Sequence, residues 1–190
     1  MVVRLGERDA TAALSGILAG GGVVIMPCDT IYGIVGIAPA TEARISRIKK
    51  REPGKPFLRL IGDGSWLPRY TAVTLPEPLR RFWPGPLTVV FPDRHGGTVA
   101  LRVPEDAWLR ALLTALDLPL ASTSVNVEGE PPLGGIAEIV LRFGSTVDLV
   151  VDGGDRIGTV PSTLIDVTVS PYRVLRQGSV RIPDELTRIT

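Results

Sequence analysis

The chain has a single cysteine, Cys28, and a single histidine, His95. One cysteine excludes an intrachain disulfide, and a cysteine-poor composition fits a reducing cytosol. With one residue of each type, a structural zinc site of four Cys/His ligands is excluded, and no metal-ligand set supplied by the protein is identified. Net charge is almost absent as well, with 21 Lys and Arg against 20 Asp and Glu. Bulk charge therefore predicts neither a nucleic-acid partner nor a membrane partner. No uninterrupted apolar run approaches the roughly 20 residues of a membrane span. Met1 to Glu7 lacks the basic segment and apolar core of a signal peptide. The expectation is a cytoplasmic protein without membrane association.

Common nucleotide and catalytic signatures are missing too. The glycine run Gly20–Gly22 follows a helical pattern and precedes an apolar run. A Rossmann phosphate loop needs the opposite order, so that a helix N-terminus meets the phosphate. Gly54-Lys55-Pro56 lacks the hydroxyl residue and the earlier glycine of a Walker loop. Asp152-Gly153-Gly154-Asp155 lacks EF-hand ligand spacing. No Gly-x-Ser-x-Gly nucleophile elbow occurs.

What is present is a chain of 190 residues with 44% hydrophobic content, enough for one substantial core. A single domain over residues 1–190, with its core at about 10–180, is expected. Asp9 is placed to cap a helix over Ala10–Ala19, and Thr41 to cap one ending near Arg51, where Glu52-Pro53-Gly54 breaks it. Pro104 opens a helix from Glu105 to Leu116, with Leu109, Leu112, Leu113 and Leu116 inward, and Ile136–Phe143 reads as another. Glu77–Trp83 reads as a short helix. Strands are expected at Val23–Met26, Ile34–Ile37, Leu58–Ile61, Leu87–Phe91, Thr98–Val103, Leu120–Ser122, Asp148–Val151, Thr163–Val167 and Tyr172–Leu175. Pro27–Tyr32 is expected as a loop. Interleaved helices and β-branched strands predict an α/β (α+β mixed) fold, one mixed sheet with helices packed on it.

Several polar segments sit where strands or helices end. Pro27-Cys28-Asp29-Thr30-Ile31-Tyr32-Gly33 leaves an apolar strand, the position where open α/β proteins place ligands, although its residues are also turn formers. Lys49-Lys50-Arg51 closes a helix, where cations complement the dipole or clamp an anion. Ser122-Thr123-Ser124-Val125-Asn126 concentrates hydrogen-bonding side chains after a strand. Pro161-Ser162-Thr163 opens a late strand, and Arg176-Gln177-Gly178 ends the next.

In this order, these segments resemble the YrdC/TsaC family over about Leu14 to Val180. Its Pro-Thr-(Asp/Glu)-Thr-x-Tyr-Gly segment matches Pro27–Gly33, and its Lys-x-Arg motif matches Lys49 and Arg51. Pro-Gly-Pro-x-Thr matches Pro84–Thr88, Arg-x-Pro matches Arg102–Pro104, and Ser-x-Asn matches Ser124 and Asn126. Pro-Ser-Thr matches Pro161–Thr163, and Arg-x-Gly matches Arg176–Gly178. Where the family usually has threonine this chain has Cys28, whose thiol is a poorer donor than a hydroxyl. Ala111–Ser124 is also similar to the YciO branch, whose members often lack the Lys-x-Arg and Ser-x-Asn residues kept here.

The resemblance implies a single YrdC-like domain with a twisted mixed sheet and an open concave cleft. It implies an L-threonylcarbamoyladenylate synthase that uses L-threonine, bicarbonate or carbon dioxide, and ATP with Mg2+, and that hands its product to tRNA-modification transferase proteins. The implied catalytic pair is Lys49 and Arg51. Ser124, Asn126, Ser162 and Arg176 join them on the nucleotide. Thr30, Tyr32, Lys55, Arg102 and Ser122 are implied for threonine. Two other readings compete. One is a double-stranded RNA- or tRNA-binding module that uses the basic cluster of Arg44, Arg47, Lys49, Lys50, Arg51, Lys55 and Arg59, with Arg80 and Arg81. The other is a hydrolase using Cys28 and His95, which no spacing rule links.

Overall fold

The structure is a computed structural model that describes residues 1–6, 10–52 and 54–188. In chain order it runs β1 (Val2–Arg4), α1 (Ala10–Ala19), β2 (Val24–Cys28), β3 (Ile31–Ile37), α2 (Glu42–Lys49) and β4 (Leu58–Leu60). Short 3-10 turns follow at Gly64–Arg69 and Glu77–Phe82. Then come β5 (Leu87–Pro92), β6 (Thr98–Arg102), α3 (Ala107–Leu116), β7 (Leu120–Ser124) and α4 (Ile136–Phe143). The chain closes with β8 (Leu149–Asp152), β9 (Thr163–Asp166), β10 (Tyr172–Arg176), a 3-10 turn at Asp184–Leu186 and β11 (Thr187–Arg188).

Among the described residues the strands form one 11-stranded sheet in the order β1-β8-β2-β3-β7-β4-β6-β5-β9-β10-β11. Pairing is mixed: β2, β3, β7 and β4 are successively antiparallel, whereas β4–β6, β5–β9 and β2–β8 are parallel. The mixed α/β expectation is met. Strand alternation feeds two apolar layers. Val24 and Met26 of β2 join Leu14 and Leu18 of α1 and Leu109 and Leu113 of α3 on one side. Ile25, on the other face, joins Ile45 of α2 and Ile139 and Phe143 of α4. A strand buried on both faces reads as an unbroken apolar run, as Val23–Met26 does.

Three local expectations differ from the structure. Pro27–Tyr32 is not an open loop: β2 continues through Cys28, β3 starts at Ile31, and only Asp29 and Thr30 lie between them. Thr41 does not cap α2 with its side chain, because its hydroxyl donates back to Ile37 O at 3.0 Å. The third helix starts at Ala107, not Glu105, because the Asp106 carboxylate accepts from Leu109 N at 3.0 Å and caps it there. Asp9 lies outside the described residues. The two outer strands, β1 and β11, carry no local signal at three and two residues; β1 exists because β8 offers it a parallel edge, Val2 against Val150.

Candidate functional site

The sheet builds the floor of a cleft. On β6, β5 and β9, Leu101, Val89 and Ile165 point into the apolar layer with Leu67 and Leu79 of the 3-10 turns. Their neighbours Ala100, Val90 and Leu164 line the opposite face. Leu58 lies across from both Ala100 and Ser122, and Val90 across from Ala100, so these side chains form a row. Above them opens a cleft of about 350 Å³.

One wall is the Cys28–Ile31 hairpin. Thr30 N donates to Cys28 O at 2.8 Å and Asp29 has φ 72°, a γ-turn of the rare positive-φ kind. Such strain persists only when its surroundings hold it. Arg102, 3% exposed, does so: its guanidinium donates to Cys28 O, Thr30 Oγ1 and Gly85 O, each at 3.2 Å, and to the Asp29 carboxylate at 2.6 Å. Arg156 Nη1 donates to Asp29 O at 2.8 Å. Tyr32 ties the hairpin to the loop after β8, accepting from Gly153 N and donating to Gly154 O, both at 2.8 Å. Behind the turn, a Cβ at Gly33 would sit 2.6 Å from Cys28 Sγ, so only glycine admits this approach. Burial pushes the Cys28 thiol up to about 11, and Ser122 donates to it at 3.9 Å.

The facing wall is set by how α2 ends. Lys50 is left-handed at φ 52°, its N–H bonds Arg47 O, and Arg51 N bonds Ser46 O. This is a Schellman motif, and it sends Lys49, Lys50 and Arg51 in three directions. Lys50 is exposed. Arg51 turns back over the Phe57 ring at 4.7 Å, donates to Pro56 O, and lines the cleft. Its Nε is buried with no partner among the described residues. Lys49 goes inward, 4% exposed, and donates to Ser124 O at 2.8 Å, Asn126 O at 3.1 Å and Asn126 Oδ1 at 2.7 Å. Burial, with Arg51 nearby, lowers its ammonium to about 8. Asn126 turns its amide to Val127 O and Glu130 O, and Ser124 Oγ donates to Asn126 Oδ1 at 2.6 Å.

At the far end Arg176 donates to Ser162 O from Nε at 3.1 Å and from Nη2 at 2.9 Å. Burial, and then Arg102, lower its proton affinity.

The structure thus brings Thr30, Tyr32, Arg51, Arg102, Ser122, Ser124, Ser162 and Arg176 to one cleft. Lys49 and Asn126 do not line it; they lie beneath Ser124 as a buried pair. Lys55 is also absent from the lining, because its ammonium is held on the surface by Glu128 at 2.7 Å and Glu52 at 3.3 Å. The site reading missed Thr88, Thr98 and Thr123, which line the cleft, and Arg156 behind it. Thr88 and Thr98 alternate with core positions on their strands, so period two was the only signal for Thr98, whereas Thr88 also ends the Pro84–Thr88 motif. Arg156 gives none, because its partner is 127 residues away.

Part of the basic cluster is neutralised. Arg44 pairs with Asp148 at 2.6 Å, Arg59 with Glu42 at 3.8 Å and Arg80 with Glu77 at 2.9 Å. His95 lines a separate cavity with Arg59 and Tyr70, away from the cleft that holds Cys28. Among the described residues no three His, Cys, Asp or Glu side chains cluster as a metal site, and no helix is long and apolar enough to cross a membrane.

Fold and site together define an α/β protein with an open, hydroxyl-lined cleft that carries arginines at both ends, suited to an anionic ligand. The Sua5/YciO/YrdC family model, described as telomere recombination, matches residues 16–178, and the chain belongs to this family. It is 36% identical over 187 residues to a threonylcarbamoyl-AMP synthase of Thiobacillus denitrificans, covering 90% of this chain and 96% of that protein. It is 32% identical over 186 residues to the Pyrococcus abyssi threonylcarbamoyl-AMP synthase, covering 90% of this chain. The crystal structure of P. abyssi Sua5 complexed with L-threonine superposes with a TM-score of 0.83 at 28% identity over 94% of this chain. This chain spans 54% of the Pyrococcus protein and 57% of the chain in that structure.

Proposed function

We propose that this chain is an L-threonylcarbamoyladenylate synthase, a nucleotidyltransferase that joins L-threonine, carbon dioxide or bicarbonate, and ATP and releases pyrophosphate. One observation carries the reading. Residues from segments as distant as Thr30, Arg51, Ser124, Ser162 and Arg176 line a single cleft. The names of the relatives, and the threonine held by the Pyrococcus structure, support it.

The chemistry suits the residues. The threonine amine adds to carbon dioxide and loses a proton, giving a carbamate. A carbamate oxygen attacks the α-phosphorus, a P–O bond forms, and the bond to pyrophosphate breaks. The attacking oxygen is already anionic, so no strong general base is required, and none of the cleft-lining residues is a histidine or a carboxylate. What remains is positioning and charge. Thr30 and Ser122, on the hairpin side, hold the amino acid. Arg51 and Arg176 face the triphosphate, and Ser124 orients the nucleotide. Lys49 acts through the Ser124–Asn126 segment, not on the phosphates.

Mg2+ fits as a companion of ATP. The carboxylate of Asp29, on the hairpin turn, is already engaged by Arg102 and by Glu105 N at 2.9 Å. When bound with ATP, Mg2+ would offset triphosphate charge. In this reading the product is consumed in tRNA threonylcarbamoyladenosine modification by a downstream transferase, and the protein acts in the cytoplasm.

The deciding experiment incubates the protein with ATP, Mg2+, bicarbonate and each amino acid in turn. Pyrophosphate release that requires L-threonine and bicarbonate is expected. Release indifferent to both overturns the reading. The RNA-binding alternative has less support because Arg44, Lys55, Arg59 and Arg80 are paired with acids and Lys49 is buried. A shallow salt dependence of double-stranded RNA binding is expected.

A further inference from the structure

Arg176 faces a problem of placement. It ends β10, near the sheet margin, and its long side chain is only partly buried. Strand alternation should put Leu175 and Arg176 on opposite faces, yet both line the cleft. The reason is a register shift: Val174 pairs with Ile165, but Arg176 pairs with Leu164. A bulge re-aims a side chain at the cost of ladder hydrogen bonds, so something else must hold the guanidinium.

That support is Ser162. Its carbonyl takes Arg176 Nε and Nη2, and its hydroxyl takes Nη2 at 3.1 Å. The Ser162 side chain is in turn bonded to Thr88 Oγ1 at 2.8 Å. Ser162 is 2% exposed and Thr88 0% exposed, so water cannot substitute for either partner. Thr88 sits on β5, which pairs in parallel with β9 with Thr88 opposite Leu164. The serine just before β9 is thereby anchored to a central strand. A hydroxyl that accepts from a guanidinium is also a stronger donor, which favours Ser162 donating to Thr88. Thr88 itself sits fully buried in the cleft floor, and the proposed site gives it no other task.

We infer that Thr88 is a positioning residue: through Ser162 it fixes the Arg176 guanidinium at the nucleotide end of the cleft. The inference rests on the proposed nucleotide site, and it names a residue outside that site's own ligands.

The test is a double-mutant cycle of Thr88→Val and Arg176→Met, read both on equilibrium binding of ATP and on the KM values for ATP and threonine. Thr88→Val keeps the shape and removes the hydroxyl. It is expected to weaken ATP binding roughly three- to tenfold, the worth of one buried hydrogen bond, with the threonine KM unchanged. Thr88→Ser restores it. In the Arg176→Met background Thr88→Val costs nothing further, a coupling that a purely structural role does not produce. Additive losses, or equal losses for ATP and threonine, overturn the inference. A wild type that binds ATP but releases no pyrophosphate overturns the synthase reading and leaves the cycle readable. A wild type that binds no ATP overturns both.

Discussion

Lys49 and Ser124 converge on the same atom: the ammonium donates to Asn126 Oδ1 at 2.7 Å and the hydroxyl donates to it at 2.6 Å. The lysine of the Lys-x-Arg pair is a buried prop for the serine of the Ser-x-Asn pair, and the arginine alone faces the cleft. This separates three adjacent cations. Lys49→Ala leaves Asn126 Oδ1 and two carbonyls short of a donor, at a cost of about 2–4 kcal/mol. Both melting temperature and activity are expected to fall. Arg51→Ala is expected to lower kcat by about 10²–10³ with the melting temperature nearly unchanged. Lys50→Ala is expected to leave activity within twofold. Calorimetry and pyrophosphate release on the three variants check this; equal, mild losses at all three count against it.

The same lysine sets a pH dependence. Its ammonium is lowered to about 8 by burial first and Arg51 second, against an ordinary 10.5. Between these values the unfolded chain holds the proton and the folded one does not. The cost of burying the charge is therefore fully present below pH 8 and relieved as pH rises towards 10.5. Wild type is expected to gain stability relative to Lys49→Met over that window, measured by urea denaturation at pH 7.5, 9 and 10.5. The neutral amine has two N–H groups for its acceptors instead of three. The rate of pyrophosphate release is therefore expected to fall on an alkaline limb near pH 8, while stability does not.

Buried Arg102 and partly buried Asp29 form an ion pair around a strained turn. Removing the arginine leaves the Cys28 carbonyl and the Thr30 hydroxyl without this donor, and leaves the Asp29 carboxylate with Glu105 N alone. Arg102→Met is expected to cost about 3–5 kcal/mol and to raise the threonine KM more than the ATP KM. Chemical denaturation and separate KM values check it. An Arg102→Met protein of wild-type stability would falsify the staple role.

Cys28 is buried and its thiol lies at about 11. Only the thiolate reacts readily. Alkylation by iodoacetamide at pH 8 is expected to be slow in the folded protein and fast in urea, followed by mass spectrometry. Cys28→Ala is expected to retain pyrophosphate release, which also tests the hydrolase alternative with His95.

Local pattern determined much of the molecule. The apolar periodicity of Ala10–Ala19 and Ile136–Phe143 defines α1 and α4 without outside help, and alternating β-branched runs locate most strands. The residue order from Pro27 to Gly178 is enough to mark the polar segments that meet in the cleft. Contacts of long sequence separation decided the rest. Whether a motif residue faces the cleft or the core depends on a partner far along the chain: Lys49 on Asn126, 77 residues on, and Arg156 on Asp29, 127 residues back. Edge pairing followed the same rule, with β1 waiting for β8. Helix and strand propensities are local energies that a short window contains. The direction of a buried polar side chain is set by whichever donor or acceptor the fold brings within about 3 Å, and no window of sequence holds that partner.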